Sequence, residues 1–239
     1  MFVPTDASKA IGNRIKAEIA RKWKAPQYYF HLRDGGHVAA LSMHLKNSFF
    51  CTIDIKDFFG CISRSRVTRS LKPVIGYEYA RKVAKLSTVK APDNYPHSHY
   101  LPYGYCQSPL LSSICLLNSS FGQMLDITSN QNGFEVTVYM DDIVISSNDK
   151  IQLEHKYDEL LAEAIKSKFT VNHTKSQAVA KTTHAFNIDL SHESMSIGSD
   201  RFARFQVAYN ESNSLPQKRG IASYVGSVNK QQATNLDTD

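Results

Sequence analysis

Between Phe134 and Tyr139 the apolar side chains Val136 and Val138 alternate with Glu135, Thr137 and Tyr139, and Met140 extends the series. A period of two predicts a strand, and the β-branched run Ile143-Val-Ile145 predicts a second strand directly after it. The pair reads as a hairpin over 134–147 with Asp141 and Asp142 at its turn. Ser48-Phe-Phe-Cys-Thr-Ile-Asp-Ile-Lys-Asp-Phe-Phe59 is another apolar, β-rich run, with Asp54 inside the strand and Asp57 just past it.

Helical spacing dominates elsewhere. Residues 7–24 place Ile11, Ile15 and Ile19 four apart on one face with basic side chains around the others, a solvated face over a packed stripe. Asp34 is a candidate N-cap for a helix running to about Lys46. From Ser63 to Ser87 two basic helices are expected, separated by Lys72-Pro73 and Gly76. A turn-rich loop over 91–100 precedes Ser108-Pro109, which reads as N-cap and first helical residue of one long apolar helix through Leu110, Leu111, Ile114, Leu117 and Phe121. Asp149 to Lys168 is a charged amphipathic helix with Leu153, Tyr157, Leu160, Leu161, Ala164 and Ile165 inward. Thr183 to Ile197 alternates weakly, Arg201 to Asn229 holds two helices around Pro216, and residues 231–239 are polar enough to be disordered.

Composition narrows this little. The 239 residues are long enough for a good core, and 42% of them are hydrophobic, which excludes a disordered chain. A net charge of +6 favours a polyanionic partner without specifying one. Cys51, Cys61, Cys106 and Cys115 lack metal-type pair spacing and read as reduced thiols. His31, His37 and His44 do not form a usual zinc ligand set. Every apolar run is soon broken by charge, so neither a signal peptide nor a membrane span is expected, and a soluble, cytoplasmic protein is the default.

The acids carry the chemistry. Two adjacent anions in an apolar hairpin cost several kcal/mol to desolvate unless a cation neutralises them. A second acid-tipped strand far away in sequence can converge on the same place. Carboxylates that hold divalent ions against phosphate oxygens are the means by which polymerases and nucleases stabilise phosphoryl transfer.

Three segments in order resemble the palm of reverse transcriptases, of the bacterial kind found in retrons, group II introns and phage-defence systems. Tyr139-Met-Asp-Asp142 matches the family's Tyr-x-Asp-Asp box, Asp54-Ile-Lys-Asp-Phe-Phe59 its first carboxylate motif, and Leu101-Pro-Tyr-Gly-Tyr-Cys-Gln-Ser-Pro109 its Leu-Pro-Gln-Gly-x-x-x-Ser-Pro loop. The resemblance spans roughly 28–229. It implies an α+β right-hand polymerase fold, an antiparallel palm sheet with packed helices, with abbreviated fingers at 1–50, palm at 51–198 (63–110 including a fingers-side insertion and the nucleotide-positioning loop), a small thumb at 199–230 and a tail at 231–239.

The resemblance also assigns roles. Asp54, Asp141 and Asp142 would carry two Mg²⁺ ions, Mn²⁺ being the alternative, with Asp142 of lesser weight as a direct ligand and the Ile55 backbone completing one shell. Phe59 would lie under the sugar of the incoming nucleotide and exclude a 2′-hydroxyl. Tyr103, Gly104, Gln107, Ser108 and Tyr139 fall at nucleotide-handling positions. Tyr103 replaces the usual glutamine, and a ring can stack but cannot donate as an amide does. Phe169-Thr-Val-Asn-His-Thr-Lys-Ser176 resembles the fourth motif, whose Lys175 would neutralise or protonate the leaving pyrophosphate; 183–197 resembles the primer-grip hairpin. The fingers strand pair that grips the triphosphate has no recognisable copy, which leaves Lys24, Arg33, Lys56, a partner chain or metal alone for that task.

The expected function is RNA-directed DNA synthesis from dNTPs on an RNA template, which the resemblance implies to be a dedicated non-coding RNA, with a DNA primer or product and either a protein partner or a second copy of the chain. Template-independent or protein-primed synthesis is the alternative within the enzyme class. An RNA-binding scaffold subunit is the alternative outside it.

Overall fold

The computed structural model describes residues 3–236. Helix α1 (Asp6–Ala20) starts at Thr5, whose side chain accepts the Ser8 N–H. Its buried stripe is Gly12, Ile15 and Ile19, while Ile11 is 40% exposed, so the expected three-isoleucine face is shifted by one position. Gly12 is required there: an added Cβ would run into Gln107 Oε1 and Cys106 Sγ, because the helix lies against the 101–109 loop. Helix α2 (Gly36–Ser42) is shorter than expected, and Gly35 at φ 92° takes the N-cap position in place of Asp34.

Strand β1 (Phe49–Asp54) leads to α3 (Arg64–Ile75) and α4 (Tyr77–Ser87). Ser63 caps α3 by accepting the Arg66 N–H. Pro73 sits inside α3 instead of ending it, since in the last turn its missing N–H forfeits one intrahelical bond; Gly76, at φ 78°, makes the break. A short pair, β2 (Val89–Lys90) and β3 (His99–Tyr100), closes the following loop. The single long helix expected after it is two, α5 (Ser108–Leu117) and α6 (Ser120–Ser129), because the Ser119 side chain accepts the Gly122 N–H and caps a new start. Ser108 is the first helical residue, not the cap; Gln107 occupies the cap position.

The hairpin is β4 (Phe134–Tyr139) and β5 (Asp142–Ser147), followed by α7 (Lys150–Lys166), which Asp149 caps through the Gln152 N–H. Leu153, Leu160 and Ala164 of α7 are buried, whereas Ile165 is 68% exposed and faces outward against expectation. Strand β6 (Gln177–Ala180) completes an antiparallel sheet of order β4-β5-β1-β6. The weakly alternating segment is three strands and not a hairpin: β7 (Thr182–Ala185), β8 (Ile188–Ser191) and β9 (Ser194–Ile197). Helices α8 (Ser199–Glu211), α9 (Leu215–Val228) and α10 (Lys230–Thr234) end the described chain. The tail expected to be disordered therefore begins as a helix, and Leu236 is 1% exposed; residues 237–239 lie outside the described residues.

The sheet divides the core in two. Cys51, Ile53, Val136, Val138, Ile143 and Ile145 join the larger cluster with α1 and α3 to α7. Phe50 and Val144 alternate onto the opposite face and pack with Leu41 of α2, Ile188, Leu190, Met195, Ile197 and Val225. Because side chains alternate, Thr52, Asp54, Thr137, Tyr139 and Asp142 belong to this second face. Burial on both faces makes the sheet a rigid floor, each large apolar side chain contributing about 1.5–3 kcal/mol.

His44 ties that floor to the segment after α2. Its ring nitrogens lie 2.7 Å from Ser146 Oγ and 2.8 Å from Thr137 Oγ1, and it is fully buried. Burial lowers its pKa from 6.5 to about 3. Between those values the unfolded chain binds a proton that the native state refuses, so stability is complete above pH 6.5 and declines as pH falls below it, by about 1.4 kcal/mol per unit. In urea titrations from pH 7.5 to 5, His44→Gln is expected to be less stable at pH 7.5 yet to lose less stability on acidification. Parallel slopes for variant and parent would refute this.

Candidate active site

Backbone pairing brings the acids together. Asp54 and Asp142 are direct partners across β1 and β5, and Asp142 also pairs with Tyr139 across the hairpin. Side chains at such positions stand about 4.5–5.5 Å apart at Cβ. Asp141 occupies the two-residue turn with Met140, and its carbonyl accepts the Ile55 N–H at 3.0 Å, which fastens the turn to the end of β1. Met140 has φ 59°, a left-handed conformation uncommon for a side chain of its kind and found where surrounding structure imposes it.

The electrostatics follow from this crowding. Asp54 is 6% exposed, and Asp141 and Asp142 are half-buried. Burial, then the neighbouring Asp141 and Asp54 charges, push Asp142 up to about 7. Asp141 is raised too, chiefly by burial. Lys175 stands beside them, its Nζ 3.6 Å from Asp54 Oδ2 while its side chain remains 68% exposed. Among the described residues, three acids facing the exposed Lys175 leave negative charge uncompensated.

The 169–176 loop is sewn to β1. Asn172 N–H donates to the Asp54 carbonyl, and Ser176 Oγ accepts the Asp54 N–H, at 2.8 and 2.9 Å. Lys175 is thereby held beside the acids by backbone bonds of its neighbours. Among the described residues no three carboxylate, imidazole or thiol groups are arranged to hold a metal ion by themselves. The donor set still suits Mg²⁺, a hard ion that takes one or two carboxylates and keeps waters or substrate phosphates for the rest of its shell.

Phe59 is half-buried at the end of the first motif, packed on Phe58 and edge-on to Tyr103, with ring centroids 5.6 and 6.0 Å apart. Tyr103 is 61% exposed, so the two rings form a wall between core and solvent. Gly104 beside it has φ 99°, a conformation that favours glycine. Gln107 and Ser108 do not join this surface. Both are 1% exposed; Gln107 Nε2 donates to Ser87 Oγ and Ser108 Oγ to the Pro102 carbonyl, so they shape the loop from within. Lys24, Arg33 and Lys56 are exposed, and Arg33 is already engaged with the Gln27 carbonyl and the Phe30 ring.

Sequence reasoning missed His31. Its Nδ1 accepts the Met140 N–H at 3.0 Å, so Nε2 carries the proton and donates to Ser113 Oγ at 2.7 Å, and Ser113 donates to the Pro109 carbonyl. This relay requires neutral imidazole, and burial lowers its pKa to about 4. Tyr139 is gripped in turn by His31, His37 and Phe186, at ring distances of 5.8, 6.2 and 5.3 Å, and His37 also meets Tyr224 of α9. No spacing rule marks a histidine that serves a backbone N–H more than 100 residues away. His31→Ala is expected to cut catalytic turnover about tenfold with little change in KM, the value of one buried hydrogen bond. His31→Asn, which keeps an acceptor, should recover part of it; equal loss in both variants would deny the positioning role.

The sequence matches the model of the family described as reverse transcriptase (RNA-dependent DNA polymerase) over residues 3–213. The chain belongs to the reverse transcriptase family. Its fold is the α+β right-hand polymerase fold. A foamy viral protease-reverse transcriptase solved with an RNA/DNA hybrid is similar over 100% of this chain at 14% identity and a TM-score of 0.50. A telomerase from Candida albicans solved with a telomeric RNA fragment matches over 98% at 10% identity and a TM-score of 0.49. The chain spans 34% and 44% of those two proteins. No helix among the described residues is long and apolar enough to cross a membrane.

Proposed function

We propose that the chain is an RNA-directed DNA polymerase that extends a 3′-hydroxyl with deoxynucleotides. The observation that carries this reading is the cross-strand pair Asp54 and Asp142 with Asp141 in the adjoining turn, an anionic cluster with the exposed Lys175 as counter-charge. In the reaction the 3′-oxygen forms a bond to the α-phosphorus, the bond from that phosphorus to the bridging oxygen breaks, and pyrophosphate leaves.

Asp54, Asp141 and Asp142, with the Ile55 carbonyl, would hold two Mg²⁺ ions. Divalent ions bound there supply neutralisation of the attacking and leaving oxygens. Lys175 neutralises the departing pyrophosphate. Phe59 fills the space that a 2′-hydroxyl would need, and Tyr103 supports it from the solvent side. The segments 1–50, 51–198 and 199–230 would serve as fingers, palm and thumb. The similar foamy viral protein was solved with an RNA/DNA hybrid, which supports an RNA template and DNA primer here. The bacterial retron, group II intron or defence setting, with a dedicated RNA, rests on the motif resemblance. Tyr103 favours a second reading, synthesis without a template, since an exposed ring offers any base a stacking surface.

The test supplies the purified chain with an RNA template annealed to a DNA primer, Mg²⁺ and dNTPs, with one arm lacking template. Template-length DNA made by the parent protein and not by Asp141→Asn supports the first reading. Extension that ignores the template supports the second, and tight RNA binding with no extension in any arm overturns both in favour of a scaffold.

A further inference from the structure

A cavity of about 860 Å³ opens between α3, the junction of α5 with α6, the C-terminal end of α7 and the loop after β1. None of Asp54, Asp141, Asp142, Phe59 or Lys175 lines it. Its lining carries the basic side chains Lys56, Arg66, Arg69 and Lys168, with the His97 ring beside them, while Lys166 is paired with Glu163 Oε1 at 3.0 Å. The carboxylate in the lining is Asp57, whose Oδ2 is engaged by the Tyr95 hydroxyl at 2.6 Å.

Two buried polar atoms in this wall lack partners. Arg66 is half-buried, its guanidinium lies 4.6 Å over the Phe169 ring, and one amino group donates to the Ser167 carbonyl. The other, Nη1, is buried with no hydrogen-bond partner, and so is Nε2 of His97. A buried donor left unmade costs about 1–3 kcal/mol, and a guanidinium presents a fork suited to phosphate oxygens. The cavity volume lies within the range of small-molecule sites, about 300–1,000 Å³, and above what a single ion would fill.

We infer that this cavity is a second anion site, separate from the acidic centre, that takes a small polyphosphate-bearing ligand of the nucleotide class on Arg66 and His97, with Arg69 and Lys168 as surrounding charge. Concavity favours a free small molecule over a nucleic-acid strand, which would track an open basic surface.

The probe is inorganic triphosphate, titrated calorimetrically into the full chain in chelator-containing buffer at physiological salt. Without divalent metal the acidic cluster repels it, so the basic cavity reports alone. One saturable site is expected, weakened about tenfold by Arg66→Gln and by a similar factor in Lys168→Gln. Lys168 is exposed, so its variant tests the site even if Arg66→Gln folds poorly. Lys175→Gln should leave the affinity unchanged. No binding, binding indifferent to Lys168→Gln, loss of binding in Lys175→Gln, or stronger competition by a single-stranded oligonucleotide than by a nucleoside triphosphate would each overturn the inference.

Discussion

Asp141→Asn and Asp142→Asn are expected to abolish or cripple DNA synthesis and, at pH 8, to raise the melting temperature. The activity loss for Asp141→Asn should be on the order of 10³-fold or more, as for removal of a principal charge-stabilising group in acyl or phosphoryl transfer. Asp142→Asn should lose less, because the resemblance gives it the smaller share of direct metal contact. The stability effects run in the opposite order. Asp142 is pushed from 3.8 to about 7 by burial and by its two acidic neighbours, and its charged form therefore strains the native state most.

The sign is set by linkage. A carboxyl with a raised native pKa imposes its penalty in full above about pH 7, and protonation relieves that penalty as pH falls toward 4. The melting-temperature gain of Asp142→Asn should accordingly be present at pH 8 and vanish near pH 4. Each kcal/mol recovered moves the midpoint of a domain this size by about 2–4 °C. Inactive variants that are also less stable at pH 8 would mean that the aspartates hold the fold and that activity is lost through it. Added Mg²⁺ should raise the parent's midpoint more than that of either variant, since only the parent keeps all three carboxylates.

Much of this site was legible because its parts are local. Strand alternation around Val136 and Val138, the β-branched run at Ile143, and an acid pair at the turn between them locate the hairpin, and its partner strand announces Asp54 in the same way. The register that sets Asp54 opposite Asp142 keeps Cys51, Ile53, Ile143 and Ile145 on one face and Phe50 and Val144 on the other. What stayed hidden depends on distant partners. Gln107 and Ser108 sit in a matching motif, yet whether they face a nucleotide or Ser87 and Pro102 is decided by how α1 and α4 pack on their loop. His31 and His37 gave no periodic signal, since one serves a backbone N–H and the other an aromatic cluster. The α5 to α6 break was readable from Asn118-Ser-Ser120, where a capping serine outweighed the continuing apolar pattern.

Phe59→Ala is expected to reduce the preference for dNTP over NTP about 100-fold, the scale on which a hydrophobic wall discriminates by one hydroxyl. The change should come mostly from a rise in kcat/KM for NTP, because removing a steric obstacle restores the excluded substrate and leaves the accepted one nearly as it was. The ring's position makes a second, graded result available. Tyr103 meets Phe59 edge-on at 6.0 Å and is itself 61% exposed, so Tyr103→Ala frees Phe59 on its solvent side without opening the core. It should relax sugar selection by a smaller factor, about tenfold, through rotamer freedom of Phe59 and not through loss of its bulk. In the double variant Tyr103 has nothing left to hold, so its additional effect should disappear, which is the non-additivity of two residues acting through one wall. Single-nucleotide incorporation with matched dNTP and NTP pairs reads all three variants. Undiminished discrimination in Phe59→Ala, with dNTP incorporation intact, would remove Phe59 from sugar selection and place it with Phe58 as core; independent effects of the two residues would instead assign Tyr103 its own contact with the nucleotide.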